Sequence, residues 1–266
     1  MKPASPFRSR GGTPVAAAAA LLFAAATPAQ AQLRVLISGG FAAAYRQVLP
    51  SFERESGVSV TTMSGSSQGS GPETIGAQLA RGVLADVVIL SREGLRDLTA
   101  GGRIAAGTDV DLAQTPLGLA IRAGAPKPDI STVERFKQAL LAAKTVAVPG
   151  STGGLYVTNE LLPRLGLVDV LTVRITSRGS ESTALVATGE ATIAIQPVSE
   201  LLHVSGVEFV GPLPPGVQLV QAFAGAVVVG STNVDMAKRL LAFLASDGAS
   251  AAIIANGMER PQRRYP

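Results

Sequence analysis

Four short stretches of the sequence combine glycine with hydroxyl side chains: Ser38-Gly39-Gly40, Ser64 to Ser70, Pro149 to Gly154, and Ser177 to Ser182. Each follows a run of β-branched and apolar residues and leads into an amphipathic stretch. A helix start carries unpaired N–H groups and a partial positive charge, and glycine lets a backbone approach a ligand closely. Residues of these types in that order suit a small anion held by neutral donors. Taken singly, each stretch could equally cap a helix with no ligand at all. Four of them at corresponding strand ends point to one shared site. None matches a Walker A loop or a full dinucleotide fingerprint, which argues against a nucleotide.

The elements that must position these loops alternate strand and helix, the pattern of an α/β fold with mainly parallel sheets. Arg34 to Ser38 reads as a strand and Phe41 to Glu55 as a helix, with Phe41, Tyr45, Val48, Leu49 and Phe52 on one face. Val58 to Thr62 is a second strand, and the polar loop after it opens a helix at Pro72. Asp86 to Leu90 suits a buried central strand, followed by a helix that ends near Gly101-Gly102. Leu117 to Arg122 is another strand, and Ala123 to Asp129 has the composition of a crossing into a second unit. Ser131 and Glu134 form a capping-box pattern for a helix to about Ala143. Strands are expected at Thr145 to Val148, Val173 to Ser177 and Ala191 to Ile195, with helices at Leu155 to Leu165 and Thr183 to Thr188. Gln218 to Val229 is a long strand that could return the chain to the first unit, followed by helices at Val234 to Ala245 and Ala249 to Asn256. In such sheets ligands bind beyond the carboxyl ends of the strands, where all four loops lie.

Composition narrows the chemistry further. The 266 residues include no Cys, no Trp and one His, which excludes thiol nucleophiles, disulfides, iron–sulfur clusters and multi-histidine metal sites; no metal or cofactor is implied. With 47% hydrophobic and 16% charged residues and a mean hydropathy of +0.33, the chain can bury a sizeable core. Lys2, Arg8 and Arg10 precede an apolar run from Val15 to Ala26, and Ala29-Gln30-Ala31 offers small residues to a signal peptidase. Residues 1–31 therefore read as a cleaved secretory signal peptide, too short in its apolar part to span a bilayer. Without those three basic residues the net charge falls from +4 to +1, so neither nucleic acid nor an anionic membrane is an expected partner. Arg260, Arg263 and Arg264 read as a frayed, solvated tail. The expected product is a soluble monomer in the periplasm, without a membrane anchor.

Val35-Leu36-Ile37-Ser38-Gly39-Gly40-Phe41, the loop from Ser64 to Ser70, Arg81-Gly82 with Ala85 to Ile89, Gly150 to Tyr156, and Thr188-Gly189-Glu190-Ala191 together resemble the periplasmic molybdate-binding-protein-like solute receptors. The resemblance covers nearly the whole mature chain. It implies a type II periplasmic-binding-protein fold, with two α/β lobes joined by two crossing strands: residues 32–118 and 225–266 in one lobe, 119–224 in the other. It further implies a small anionic ligand, an ABC-transporter membrane component as partner, and ligand-binding residues at Ser38, Gly39, Gly40, Ser66, Ser67, Ser151, Thr152, Gly153, Gly154, Arg178, Ser180, Ser182 and Gln196. Two features depart from the molybdate pattern, Ser38-Gly39-Gly40 after the first strand and Gln196-Pro197 after a late one, and a larger, less symmetric anion would account for them.

The Ser38-to-Phe41 start, Arg122 to Asp129 and Gln196 to Leu202 are similar to a branch of that family that includes a bacterial aconitate isomerase. That branch implies proton transfer across an allylic system in a tricarboxylate. Glu73, Glu181 and His203 are then the candidate bases, and Arg178, Arg81 and Arg122 the candidate carboxylate clamps. Glu73 and Glu181 also suit a helix first turn with no catalytic role.

Overall fold

A computed structural model describes residues 1–2 and 32–261. Residues 3–31 of the expected leader, and Arg263 and Arg264, fall outside these. In chain order the strands are β1 (Gln32–Ile37), β2 (Ser59–Ser64), β3 (Val87–Ser91), β4 (Val110–Arg122), β5 (Thr145–Pro149), β6 (Thr172–Thr176), β7 (Ile193–Pro197), β8 (Val207–Pro212) and β9 (Val220–Val227). The helices are α1 (Gly39–Ser56), α2 (Ile75–Ala80), α3 (Arg92–Ala100), α4 (Val133–Ala143), α5 (Thr152–Tyr156), α6 (Leu162–Leu165), α7 (Gly179–Thr188), α8 (Val234–Ala245) and α9 (Ser250–Ala255), with a π-helical stretch, Val157–Leu161, joining α5 to α6.

The strands form one curled sheet in the order β2-β1-β3-β9-β4-β7-β5-β6, with β8 paired to β4. Pairing is parallel among β2, β1 and β3 and again among β6, β5 and β7. It is antiparallel wherever β4 or β9 takes part. β4 serves both halves of the sheet: Val110 to Pro116 pair with β9, and Leu117 to Ile121 pair with β7. The chain thus crosses between halves inside β4, ahead of Ala123 to Asp129.

Alternation along β1 shows how the halves are layered. Leu33, Val35 and Ile37 face α1, α8 and α9, whereas Leu36 faces α2 and α3. In the other half, Leu119, Ile121, Val146, Val148 and Ile195 pack with α4 to α6, and on the opposite face Ala120, Ala147 and Ala194 of the central strands pack with Val186 of α7. Three small side chains let α7 lie close to the sheet, which brings its start to the edge where α1 begins.

Local chemistry shifts some expected boundaries. Thr74 caps α2 by accepting from the Ala77 N–H, so that helix starts three residues beyond Pro72. Thr132 rather than Ser131 caps α4, accepting from the Arg135 N–H, and in the turn before it Asp129 Oδ1 accepts from the Ser131 N–H. Arg260 is not free in solvent: its guanidinium donates to Leu112 O, Leu244 O, Ser246 O and Ser250 Oγ, tying this segment to the close of α8.

Candidate functional site

α1, α5 and α7 start at one cavity, and none of them has a side-chain cap. Ser38, Ser151 and Arg178 hold their N-cap positions without a side-chain capping bond, whereas Thr74, Ser91 and Thr132 cap α2, α3 and α4. The N–H groups of the first turns of α1 and α7 therefore face a hollow of about 730 Å³, in the range of sites that enclose whole organic ligands. Ser38, Gly39, Gly40, Ser66, Ser67, Ser151, Gly153, Arg178 and Ser180 line it.

Several buried polar atoms in or beside this cavity have no hydrogen-bond partner within the protein: Ser38 Oγ, Ser199 Oγ and Gln221 Oε1 on its wall, and Gln196 Oε1 behind it. An unpaired buried polar atom costs about 1–3 kcal/mol, so a cluster of them marks a place built for something polar.

Glu200 is the central finding. It ends the short 3₁₀ turn Val198–Glu200 that follows β7, and its carboxyl lies between the first residues of α1 and α7. A Cβ on Gly39 would fall 2.1 Å from Glu200 Oε1, and one on Gly179 would fall 2.5 Å from Oε2. Both glycines are needed for the carboxyl to sit there. It makes no hydrogen bond or ion pair with the described residues, and burial pushes it up to about 7. A partly buried carboxyl without partners, at two positive helix ends, is a group poised to exchange a proton. The floor below is Phe223, whose ring fills the space a Gly40 side chain would need.

The other expected residues are placed as follows. Thr152 does not line the cavity. Its hydroxyl donates to Gln68 Oε1 at 2.9 Å and shares a 2.7 Å bond with Ser91 Oγ, joining the two halves at the rim. Gly154 packs on the Pro149 carbonyl, and Ser182 Oγ pairs with Thr176 Oγ1 at 2.7 Å, so both face inward to the fold. Gln196 donates to Glu200 O at 3.0 Å, holding the turn that carries that carboxyl. Glu73 and Arg178, expected as base and clamp, pair with each other at 2.8 Å across the cavity mouth. Glu181 accepts from the Ser177 N–H, a helix-start role. Arg81 and Arg122 lie away from the cavity, and His203 lines it with Nε2 3.3 Å from Ala255 O.

Thr152→Val removes both rim bonds and is expected to lower stability by about 1–2 kcal/mol in urea melts. An unchanged midpoint would show that the rim bonds do not hold the ligand-free form together.

Sequence reasoning did not single out Glu200, Ser199, Gln221, Phe223 or Arg46. Glu200 had a usable signal, since it follows a strand's carboxyl end by three residues. Gln221 and Phe223 had none, because β9 reaches the site only through the crossing between halves.

An α/β sheet shared by two halves, with uncapped helix starts meeting at a polar cavity, is the architecture of the periplasmic-binding-protein fold. Residues 33–259 match the model of the bacterial extracellular solute-binding proteins, and the chain belongs to that family. It is 38% identical over 251 residues to aconitate isomerase from a Pseudomonas species, covering 92% of this chain and 96% of that one. Its fold is similar to that of the Azotobacter vinelandii periplasmic molybdate-binding protein, with a TM-score of 0.70 at 19% identity, over 86% of this chain and 100% of the other. It is also similar to the sulfate-binding protein of Mycobacterium tuberculosis, with a TM-score of 0.68 at 17% identity over 88% of each chain.

Proposed function

We propose that this protein binds a small tricarboxylate in the cavity and interconverts cis- and trans-aconitate by proton transfer. The observation that carries the reading is the bare Glu200 carboxyl between α1 and α7, and full-length similarity to an aconitate isomerase supports it. A receptor that only captures anions gains nothing from a carboxylate at its centre, which when ionised repels the ligand.

In the proposed reaction, ionised Glu200 takes a proton from the ligand's methylene carbon. The C–H electron pair becomes the new double bond to the central carbon, and the former π pair moves to the far carbon, delocalised into its carboxylate. The same carboxyl then returns a proton to that far carbon, and the new double bond sets either geometry. Helix N–H groups stabilise the charge that develops on carboxylate oxygen. The protein acts in the periplasm as a monomer after loss of residues 1–31.

A second reading is favoured by the neutral hydroxyls of Ser38 and Ser67 on the cavity wall: a receptor that hands a small oxyanion or carboxylate to an ABC-type transporter. Proton NMR of trans-aconitate in D₂O separates the two. Appearance of the cis isomer with deuterium incorporation supports the isomerase. Thermal stabilisation by molybdate or tungstate with no turnover supports the receptor.

A further inference from the structure

The cavity does not end at the helix starts. Beyond Glu200 it continues as a groove between α1 and α7, lined on one side by Ala42, Ala43 and Arg46 and on the other by Thr183, Ala184 and Ala187. These spacings of three and four put one face of each helix on the groove. Gly39 and Arg46 are seven residues apart, so Arg46 stands roughly 10 Å along the axis from the helix start. Among the described residues lining the cavity, Arg178 is held by Glu73, whereas Arg46 makes no ion pair or hydrogen bond. Ser199, only 6% exposed and with its hydroxyl unpartnered, lines the same cavity beside Glu200.

We propose that this groove is the subsite for a distal carboxylate of the ligand, with Arg46 as its counter-charge. This rests on the tricarboxylate reading above and adds to it which part of the ligand lies where. A compact oxyanion fits at the helix starts and reaches neither Arg46 nor the groove. A polycarboxylate places one carboxylate on the N–H groups of α1 and α7, its reactive carbons beside Glu200, and another carboxylate on the guanidinium, whose fork suits two-point pairing. The alanines of the groove leave the room a carbon chain needs. Arg46 is exposed on α1, so its side chain can swing to meet the ligand without disturbing the core.

The test is isothermal calorimetry on the purified mature chain and its Arg46→Gln and Arg46→Lys variants, with trans-aconitate and with molybdate as probes and thermal melts to verify folding. The expected result is an about 10- to 100-fold loss of trans-aconitate affinity in Arg46→Gln, partial recovery in Arg46→Lys, and molybdate affinity, where it is measurable, within twofold throughout. Trans-aconitate affinity unchanged in Arg46→Gln would overturn the subsite and leave the isomerase reading standing. Equal losses for both probes would also overturn it. A wild-type protein that binds no trans-aconitate would overturn both together.

Discussion

Glu200→Gln lowers the rate of aconitate isomerisation by about 10²- to 10⁴-fold, the usual weight of a positioned acid–base group. Trans-aconitate affinity stays at or above the wild-type level, because the change removes negative charge from an anion site without changing its shape. The pH dependence follows from the same residue. With its carboxyl pushed up to about 7 by burial, the wild-type rate rises with pH and levels off above about pH 7 as the base ionises. Stability moves the opposite way. Between the ordinary carboxyl value of 4.5 and about 7 the folded chain keeps a proton that the unfolded chain has lost. The stability linked to Glu200 is therefore full below pH 4.5, falls as pH rises toward 7, and stays low above it. Glu200→Gln should abolish that fall, so the ligand-free variant is more stable than wild type at pH 8 and closer to it at pH 5. Urea melts at the two pH values verify this, and an isomerisation rate unaffected by the substitution would remove Glu200 from the chemistry.

Asp86→Ala lowers stability by about 2–4 kcal/mol, somewhat less than a fully buried ion pair because Arg34 keeps contact with solvent. Asp86 is wholly buried just before β3 and accepts from the Arg34 N–H at 2.8 Å, from Arg34 Nε at 3.2 Å and from Ser231 Oγ at 2.8 Å. These bonds link β1, β3 and the turn before α8, and so hold the strands whose far ends present Ser38 and Ser91. Burial pushes the Asp86 carboxyl up, but the Arg34 and Ser231 hydrogen bonds outweigh it and hold it below its ordinary 3.8. The linked stability is present above that value and is lost as pH falls through the depressed one. The gap between wild type and Asp86→Ala in denaturant melts should therefore be full at neutral pH and shrink in strong acid. A gap of under 1 kcal/mol at pH 7 would show that the pair does not hold these strands.

The fold was legible in the sequence wherever local pattern decides structure. The helix over Val234 to Ala245 was expected at the bounds it has, since its apolar spacing is regular and turn residues flank it. Boundaries moved where adjacent hydroxyls could each cap one helix and only one does, as at Ser131 and Thr132. The Gly and Ser loops were legible as helix starts, but their sequence does not separate an unpartnered hydroxyl on the cavity wall, such as Ser38, from one that is bonded to its neighbours, such as Thr152 or Ser182. That distinction depends on which loops meet across the two halves. Glu73 and Arg178 illustrate it: each resembles a functional charge by its position, and the fold pairs them with one another. Glu200 escaped notice for the converse reason, because its setting comes from Gly39 and Gly179, residues far from it and from each other in the chain.

A crystal structure of the protein soaked with trans-aconitate tests the role of Glu200 directly. The ligand should occupy the hollow between α1 and α7, with carboxylate oxygens on their first N–H groups and its methylene carbon beside Glu200. Ligand density elsewhere on the surface, with the Glu200 carboxyl undisturbed and the hollow holding only water, would remove both the cavity and Glu200 from the reaction.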